Sequence, residues 1–225
     1  MARARSQQRR LLVGLVLTMA LVACGGGDEK VPAAAEDKAQ AERIVLTEAD
    51  VPDLTRTEEE DSDDGSEPFQ KCLNDNVLLT KLGDGPRSAE SSFGNEDETI
   101  VRASAVNLAE SEGDAMAAFA ELNRANFVGC FEEAVRTAFE EELSGSFSNL
   151  EVIKLSVEKV GDDTVAFRTT LDLELVRSLA LSLDYVFFRV GRGLGVLFSV
   201  DVDGTLDAAE RTRLVKAIAG RLEDA

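Results

Sequence analysis

A long alternation between residues 149 and 202 constrains this chain more than any other feature. Val165, Phe167, Thr169, Leu171, Leu173 and Leu175 sit at spacing two, as do Leu179, Leu181, Leu183, Tyr185 and Phe187. Successive side chains of a strand point to opposite faces, so this spacing lines one side of a sheet. Leu150-Glu-Val-Ile-Lys-Leu-Ser-Val157 alternates before it. Gly161-Asp162-Asp163 and Gly191-Arg192-Gly193 supply turns, the second leading into Val196, Phe198, Val200 and Val202. Strands joined by such short turns pair antiparallel as a meander. Their intervening positions are half-polar, which predicts one wet face and helices packed on the other.

Helical spacing appears on either side of the meander. Ala115, Ala118, Phe119, Leu122, Asn126 and Cys130 fall on one helical face behind a capping Asp114, and Phe127, Phe131 and Phe139 widen it. Such a stripe is what a helix laid on a sheet needs. An earlier helix opens at Ser66-Glu67-Pro68-Phe69 and carries Cys72, Leu73, Val77 and Leu79, until Gly83-Asp84-Gly85-Pro86 breaks it. Ser88–Phe93 and Thr99–Leu108 read as strands. Thr47 to Val51 reads as a capped turn halted by Pro52. The last helix buries Leu214, Val215, Ile218 and Leu222. Together these elements predict an α+β domain with an antiparallel β-meander sheet of five or six strands, helices packed on one face, and one disulfide.

The N-terminus states an address. Arg3, Arg5, Arg9 and Arg10 precede an apolar run, residues 11–23, which is shorter than the roughly 20 residues a spanning helix needs. That layout is an export signal. The junction Leu21-Val22-Ala23-Cys24 resembles the bacterial lipobox, in which the chain is cut before a cysteine that carries lipid. An ordinary cleaved signal leaving a free thiol is the rival. The expected organisation is a lipoprotein signal peptide over 1–23, a flexible acidic tether over 24–43, and a domain over 44–225. Part of the tether, Ala33 to Arg43, is rich enough in Ala, Glu and Lys to form helix.

The signal takes four of the 24 basic residues and none of the 43 acidic ones, so the mature chain is more negative than the −19 of the whole. Such a surface repels phosphate backbones and anionic lipid heads. Nucleic acid is therefore not expected as a partner, and the membrane is reached only through a lipid on Cys24. The chain has no histidine. That removes the commonest general acid–base and imidazole metal ligation together. Carboxylates remain, but no arrangement marks them as catalytic. No cofactor and no enzyme activity are expected.

Cys72 and Cys130 are left once Cys24 is acylated. In an exported chain an even pair reads as a disulfide, against two unpaired buried thiols.

Three acidic or catalytic patterns have plainer explanations. Glu58 to Glu67 is a near-continuous acidic run, read as a solvated loop. Asp201, Asp203, Asp207 and Glu210 match the later part of a calcium-binding loop, but a strand-to-helix turn at Gly204 with Asp207-x-x-Glu210 as capping box explains the same residues. Ser156-Val-Glu-Lys159 matches S-x-x-K without the companion motifs that acyl-transferring enzymes require.

The order of motifs resembles a family. After the lipobox come Leu46-Thr-Glu-Ala-Asp-Val-Pro-Asp-Leu54, Phe69-Gln-Lys-Cys72-Leu73, Asn126-Phe-Val-Gly-Cys130 and Phe187-Phe-Arg-Val-Gly-Arg192, then the closing helix. This resembles the exported sensor-type domains of actinobacteria found at the outer end of PknH-like receptor kinases and as free-standing lipoproteins. The resemblance spans residues 44–222. Those kinase domains carry two disulfides and this chain has cysteines for one, so no site residue is carried over. It implies an extracytoplasmic, membrane-anchored module that binds an unidentified ligand or protein. The alternative is a carrier or chaperone for apolar envelope molecules. A deep, dry pocket lined by Phe119, Leu122, Phe127 and strand residues favours the carrier, and a filled core with an exposed groove favours the module.

Overall fold

The structure is a computed structural model that describes residues 32–57, 67–73, 76–97, 99–143, 146–174 and 178–225. The signal, Cys24 and most of the acidic run lie outside these residues. A helix α1 (Pro32–Ile44) is followed by β1 (Thr55–Arg56), α2 (Glu67–Cys72), α3 (Val77–Thr80), β2 (Ser88–Gly94) and β3 (Ile100–Leu108). Then come α4 (Glu112–Glu121), α5 (Phe127–Leu143), β4 (Phe147–Leu155), β5 (Asp163–Glu174), β6 (Ser178–Val190), β7 (Gly193–Val202) and α6 (Ala208–Glu223). The fold is α+β, as the alternation predicts.

All strands join one antiparallel sheet of seven, in the order β1-β2-β3-β7-β6-β5-β4. The count exceeds the expected five or six because the two-residue β1 pairs with β2 and both halves of the chain share the sheet. The meander β4–β7 runs as read from sequence. Val190 pairs with Gly193 across a two-residue turn, where Gly191 takes the positive φ that primed hairpin turns require. At the free edge, β4 shifts register between Ser148 and Glu151, with Asn149 at φ 52°. Such a bulge twists an edge away from further pairing.

Helices cover both faces of the sheet, not one. On the first face α2 to α5 lie over Val101, Ala103, Val165, Phe167, Leu183, Tyr185, Val196 and Phe198. On the second, α1 and α6 lie over Ala89, Phe93, Val106, Ala166, Val186, Phe188 and Leu197. The wet-face expectation fails for a definite reason. Ser182, Asp184, Ser199 and Asp201 look like surface residues in sequence, yet all four are buried beneath α6.

Several boundaries also move. The segment read as tether forms α1 from Pro32, a residue suited to the first helical position. It is docked rather than free, with Ala41 and Ile44 buried in the second core. The single phenylalanine helix is two helices. Ser111, not Asp114, is the N-cap of α4 and accepts from Asp114 N at 3.2 Å, while its hydroxyl donates to Asp114 Oδ2. The chain turns after Leu122 and restarts at Phe127, which re-phases the stripe so that Phe127 and Phe131 face the sheet and Asn126 is exposed. The expected Cys72 helix likewise divides at Asn76, whose side chain caps α3 by accepting from Leu78 N and Leu79 N. Val77 is thereby left 61 % exposed.

Candidate functional site

Two places concentrate chemistry: an ionic layer under α6, and a disulfide-clamped aromatic layer under α5.

The ionic layer grows from strand register. Arg168 on β5 opposes Asp184 on β6, Asp184 opposes Ser199 on β7, and Ser199 opposes Arg102 on β3, forming one row across four strands. Arg168 grips Asp184 with two bonds, Nε to Oδ1 at 2.5 Å and Nη2 to Oδ2 at 2.7 Å. Arg211 of α6 donates to the same carboxylate at 3.1 Å. One step along the strands, Arg102 donates to both oxygens of Asp201 at 3.2 and 3.0 Å, and its Nε lies 3.6 Å from Glu210 of α6. Arg211 also donates to the carbonyl of Leu206.

Three guanidinium groups thus meet three carboxylates. Their pairing answers the high cost of burying charge. Asp184 and Asp201 are 1 % and 7 % exposed. Burial pushes the Asp201 carboxyl above the ordinary carboxylate range, outweighing the bonds from Arg102. The bond to Asp184 raises Arg168 further and keeps it charged. With charge balanced and the carboxylates of Asp184 and Asp201 held by arginines, the layer fixes the β5–β6–β7–β3 register and pins the start of α6.

The calcium-like residues separate into different tasks. Asp201 takes Arg102. Asp203, at φ 55°, accepts from Ala180 N at 3.1 Å. Asp207 caps α6 by accepting from Ala209 N and Glu210 N, and Glu210 lies near Arg102. The strand-to-helix turn and the cap account for Asp203 and Asp207, Asp201 and Glu210 lie at Arg102, and the left-handed residue is Asp203 rather than Gly204. Among the described residues no group of three or more His, Cys, Asp or Glu side chains comes together to hold a metal. Ser156 to Lys159 lie in irregular chain beyond β4.

The aromatic layer begins at the disulfide. Cys72 ends α2 and Cys130 lies in the first turns of α5, with Cα atoms 5.6 Å apart, inside the usual range for a bridge. Arg124 Nη2 donates to the Cys72 carbonyl, and Phe69 meets Phe131 edge-on at 5.2 Å. Deeper, Phe127 lies 5.0 Å from Phe167 of the sheet, and Phe131 is edge-on to Tyr185 at 5.1 Å. Tyr185 in turn tilts against Phe198 at 4.8 Å. Phe119, Leu122 and Phe127, the residues that would line a pocket in the carrier reading, are all buried in this core.

Sequence reasoning found the cysteines and the phenylalanine stripe. It missed Arg102, Arg168, Asp184 and Arg211. Their signal was present: Arg102 stands between Val101 and Ala103, and Asp184 between Leu183 and Tyr185, so each is a charge inside an apolar strand.

No protein-family model matches the chain, and no curated protein matches it. Among solved structures, the fold is similar to the extracellular domain of PknH from Mycobacterium tuberculosis, with a TM-score of 0.46 and 10 % sequence identity over 88 % of this chain and 100 % of that one. The likeness is weak and concerns the fold alone. No helix among the described residues is long and apolar enough to cross a membrane.

Proposed function

We propose that this chain is an exported, lipid-anchored module that binds a ligand or partner outside the cytoplasm and catalyses no reaction. The observation that carries the reading is the Cys72–Cys130 bridge, which joins two helices and suits an oxidising compartment. The basic start, the short apolar run and Leu21-Val22-Ala23-Cys24 supply the matching address. Close contact between the rings of α5 and the sheet favours a binding module over a carrier of bulky apolar cargo. The buried carboxylates of the ionic layer are taken by arginines, which suits a scaffold rather than acid–base chemistry.

Cell fractionation tests the anchor. Cys24→Ser is expected to stall signal processing or release the protein from the membrane fraction. A Ser variant that is still cut after Ala23 and stays membrane-bound in high salt overturns the anchor. Native mass spectrometry of protein taken from its own envelope tests the binding role. A co-purified small molecule or protein partner supports the module; a stoichiometric bulky lipid supports the carrier.

A further inference from the structure

The docked helix α1 decides which end of the domain an N-terminal anchor can reach. Near its middle, Asp37 takes Arg192 of the β6–β7 turn through two bonds, at 2.6 and 3.1 Å. Arg87, just before β2, lies 3.7 Å from the same carboxylate, and Arg192 also donates to the carbonyl of Ala109, just beyond β3. At the other end of α1, Arg221 of α6 donates to the carbonyl of Ile44, and Leu46 N donates to Ser104 Oγ midway along β3. The helix therefore runs antiparallel to β3, from the pole that holds the β6–β7 turn toward the middle of the sheet. Pro32 is five residues before Asp37, which carries the start of α1 a further ~7.5 Å toward that pole.

Chain length then sets the reach. Cys24 precedes Pro32 by eight residues, which span at most ~28 Å when fully extended. Residues 24–43 acting as one free segment could span ~70 Å and let any face of the domain meet the lipid. The strand β6 alone has thirteen residues and runs ~40 Å, so the opposite pole lies beyond the reach of Cys24. Charge works in the same direction. The mature chain is more negative than −19 and is repelled by anionic lipid heads. At the tethered pole Arg87, Arg189 and Arg192 offset part of the acid. At the opposite pole Glu96, Glu174, Asp203 and Asp207 are all exposed. The anchor holds the first pole down while repulsion lifts the second.

We propose that the pole bearing the β6–β7 turn faces the lipid surface at close range, and that the pole bearing Glu96, Glu174 and the Asp203–Asp207 turn is the one presented outward for recognition. This deepens the anchored-module reading and rests on its lipid at Cys24.

Energy transfer to the bilayer tests the assignment. A donor dye is placed on Glu110→Cys, beside Arg87 at the tethered pole and 79 % exposed, or on Thr205→Cys, exposed at the other. With Cys24 acylated and Cys72 bonded to Cys130, each added thiol is the free one. The processed full chain is floated on phosphatidylglycerol vesicles whose headgroups carry the acceptor, at low salt. Transfer is expected to be about threefold greater from Glu110→Cys than from Thr205→Cys, because ~40 Å of sheet separates the poles. Inserting twenty Gly/Ser residues after Gly27 adds up to ~70 Å of reach and is expected to abolish most of that bias without changing flotation. The assignment is overturned by equal transfer from the two positions, by greater transfer from Thr205→Cys, or by a bias that the insertion leaves unchanged. A chain that fails to float overturns the anchor and the assignment with it. One that floats with equal transfer overturns the assignment and leaves the anchor standing.

Discussion

Asp184 has the most exacting position of any single residue. Arginines from a strand and from a helix converge on its carboxylate. Removing the shared carboxylate leaves two buried guanidinium groups uncompensated, so Asp184→Ala is expected to lose about 3–5 kcal/mol in denaturant unfolding. The triple change Arg168→Met, Asp184→Leu and Arg211→Met should cost much less, because no charge is stranded. Gly195 shows a different constraint. A Cβ there would overlap the ring of Phe188, which is fully buried, so Gly195→Ala is expected to destabilise by about 1–3 kcal/mol through overpacking. Asp37 sets an acid limit. The Arg192 hydrogen bond holds its carboxyl below the ordinary range against the opposing pull of burial. A lowered folded value means stability that is present above the unfolded pKa of about 3.9 and lost as pH falls through the folded one. Asp37→Asn should therefore cost about 2 kcal/mol at neutral pH, the scale of a charge-assisted bond. That difference from the wild type should shrink below about pH 4 in unfolding curves. Asp201 works in the opposite sense: its raised value means that ionisation costs stability, a cost relieved as pH falls.

At the scale of elements, α2 is the piece most dependent on one bond. It has six residues, and it is anchored by the disulfide and the Phe69–Phe131 contact to α5 and by the Arg124 bond from the turn between α4 and α5. Closing 58 residues of separation is worth ~4 kcal/mol in the chain-entropy account. Cys72→Ser should lower the melting temperature strongly under oxidising conditions, and amide exchange should rise first in α2. Free-thiol labelling of both cysteines in the folded protein would contradict the bridge. The elements also differ in how legible they were. β5, β6 and β7 announce themselves because side-chain alternation survives burial on either face. The break between α4 and α5 does not, since Asn123 and Arg124 are ordinary helix residues and only the packing of Phe127 on Phe167 fixes the restart. The second face of the sheet was hidden for a related reason. Burial of Asp184 and Asp201 depends on arginines that are distant in sequence, and pairings of that kind leave no local pattern. Cys72 and Cys130 were legible because compartment and count alone pair them. The ionic layer appears only once strands are in register.

The whole molecule is two strand sets joined along one seam. β1, β2 and β3 come from the first half of the chain, β4 to β7 from the second, and the seam is the β3–β7 ladder running from Ile100–Asp201 to Leu108–Gly193. β7 also pairs with β6, so the last strand in sequence sits at the centre of the sheet. A chain ended after Val190 is expected to keep no stable β2–β3 pairing, which limited proteolysis would register as rapid cutting within residues 88–108. The same seam places a clock on biosynthesis. At about 5–20 residues per second, β3 leaves the ribosome roughly 4 to 17 s before β7 does. Through that interval Val101, Ala103 and Ala105 have no neighbour on their open edge, and an unpaired apolar strand is a template for the wrong chain. The tempo of synthesis, and whatever holds the nascent chain apart from its copies meanwhile, therefore governs how much of this protein reaches its native state.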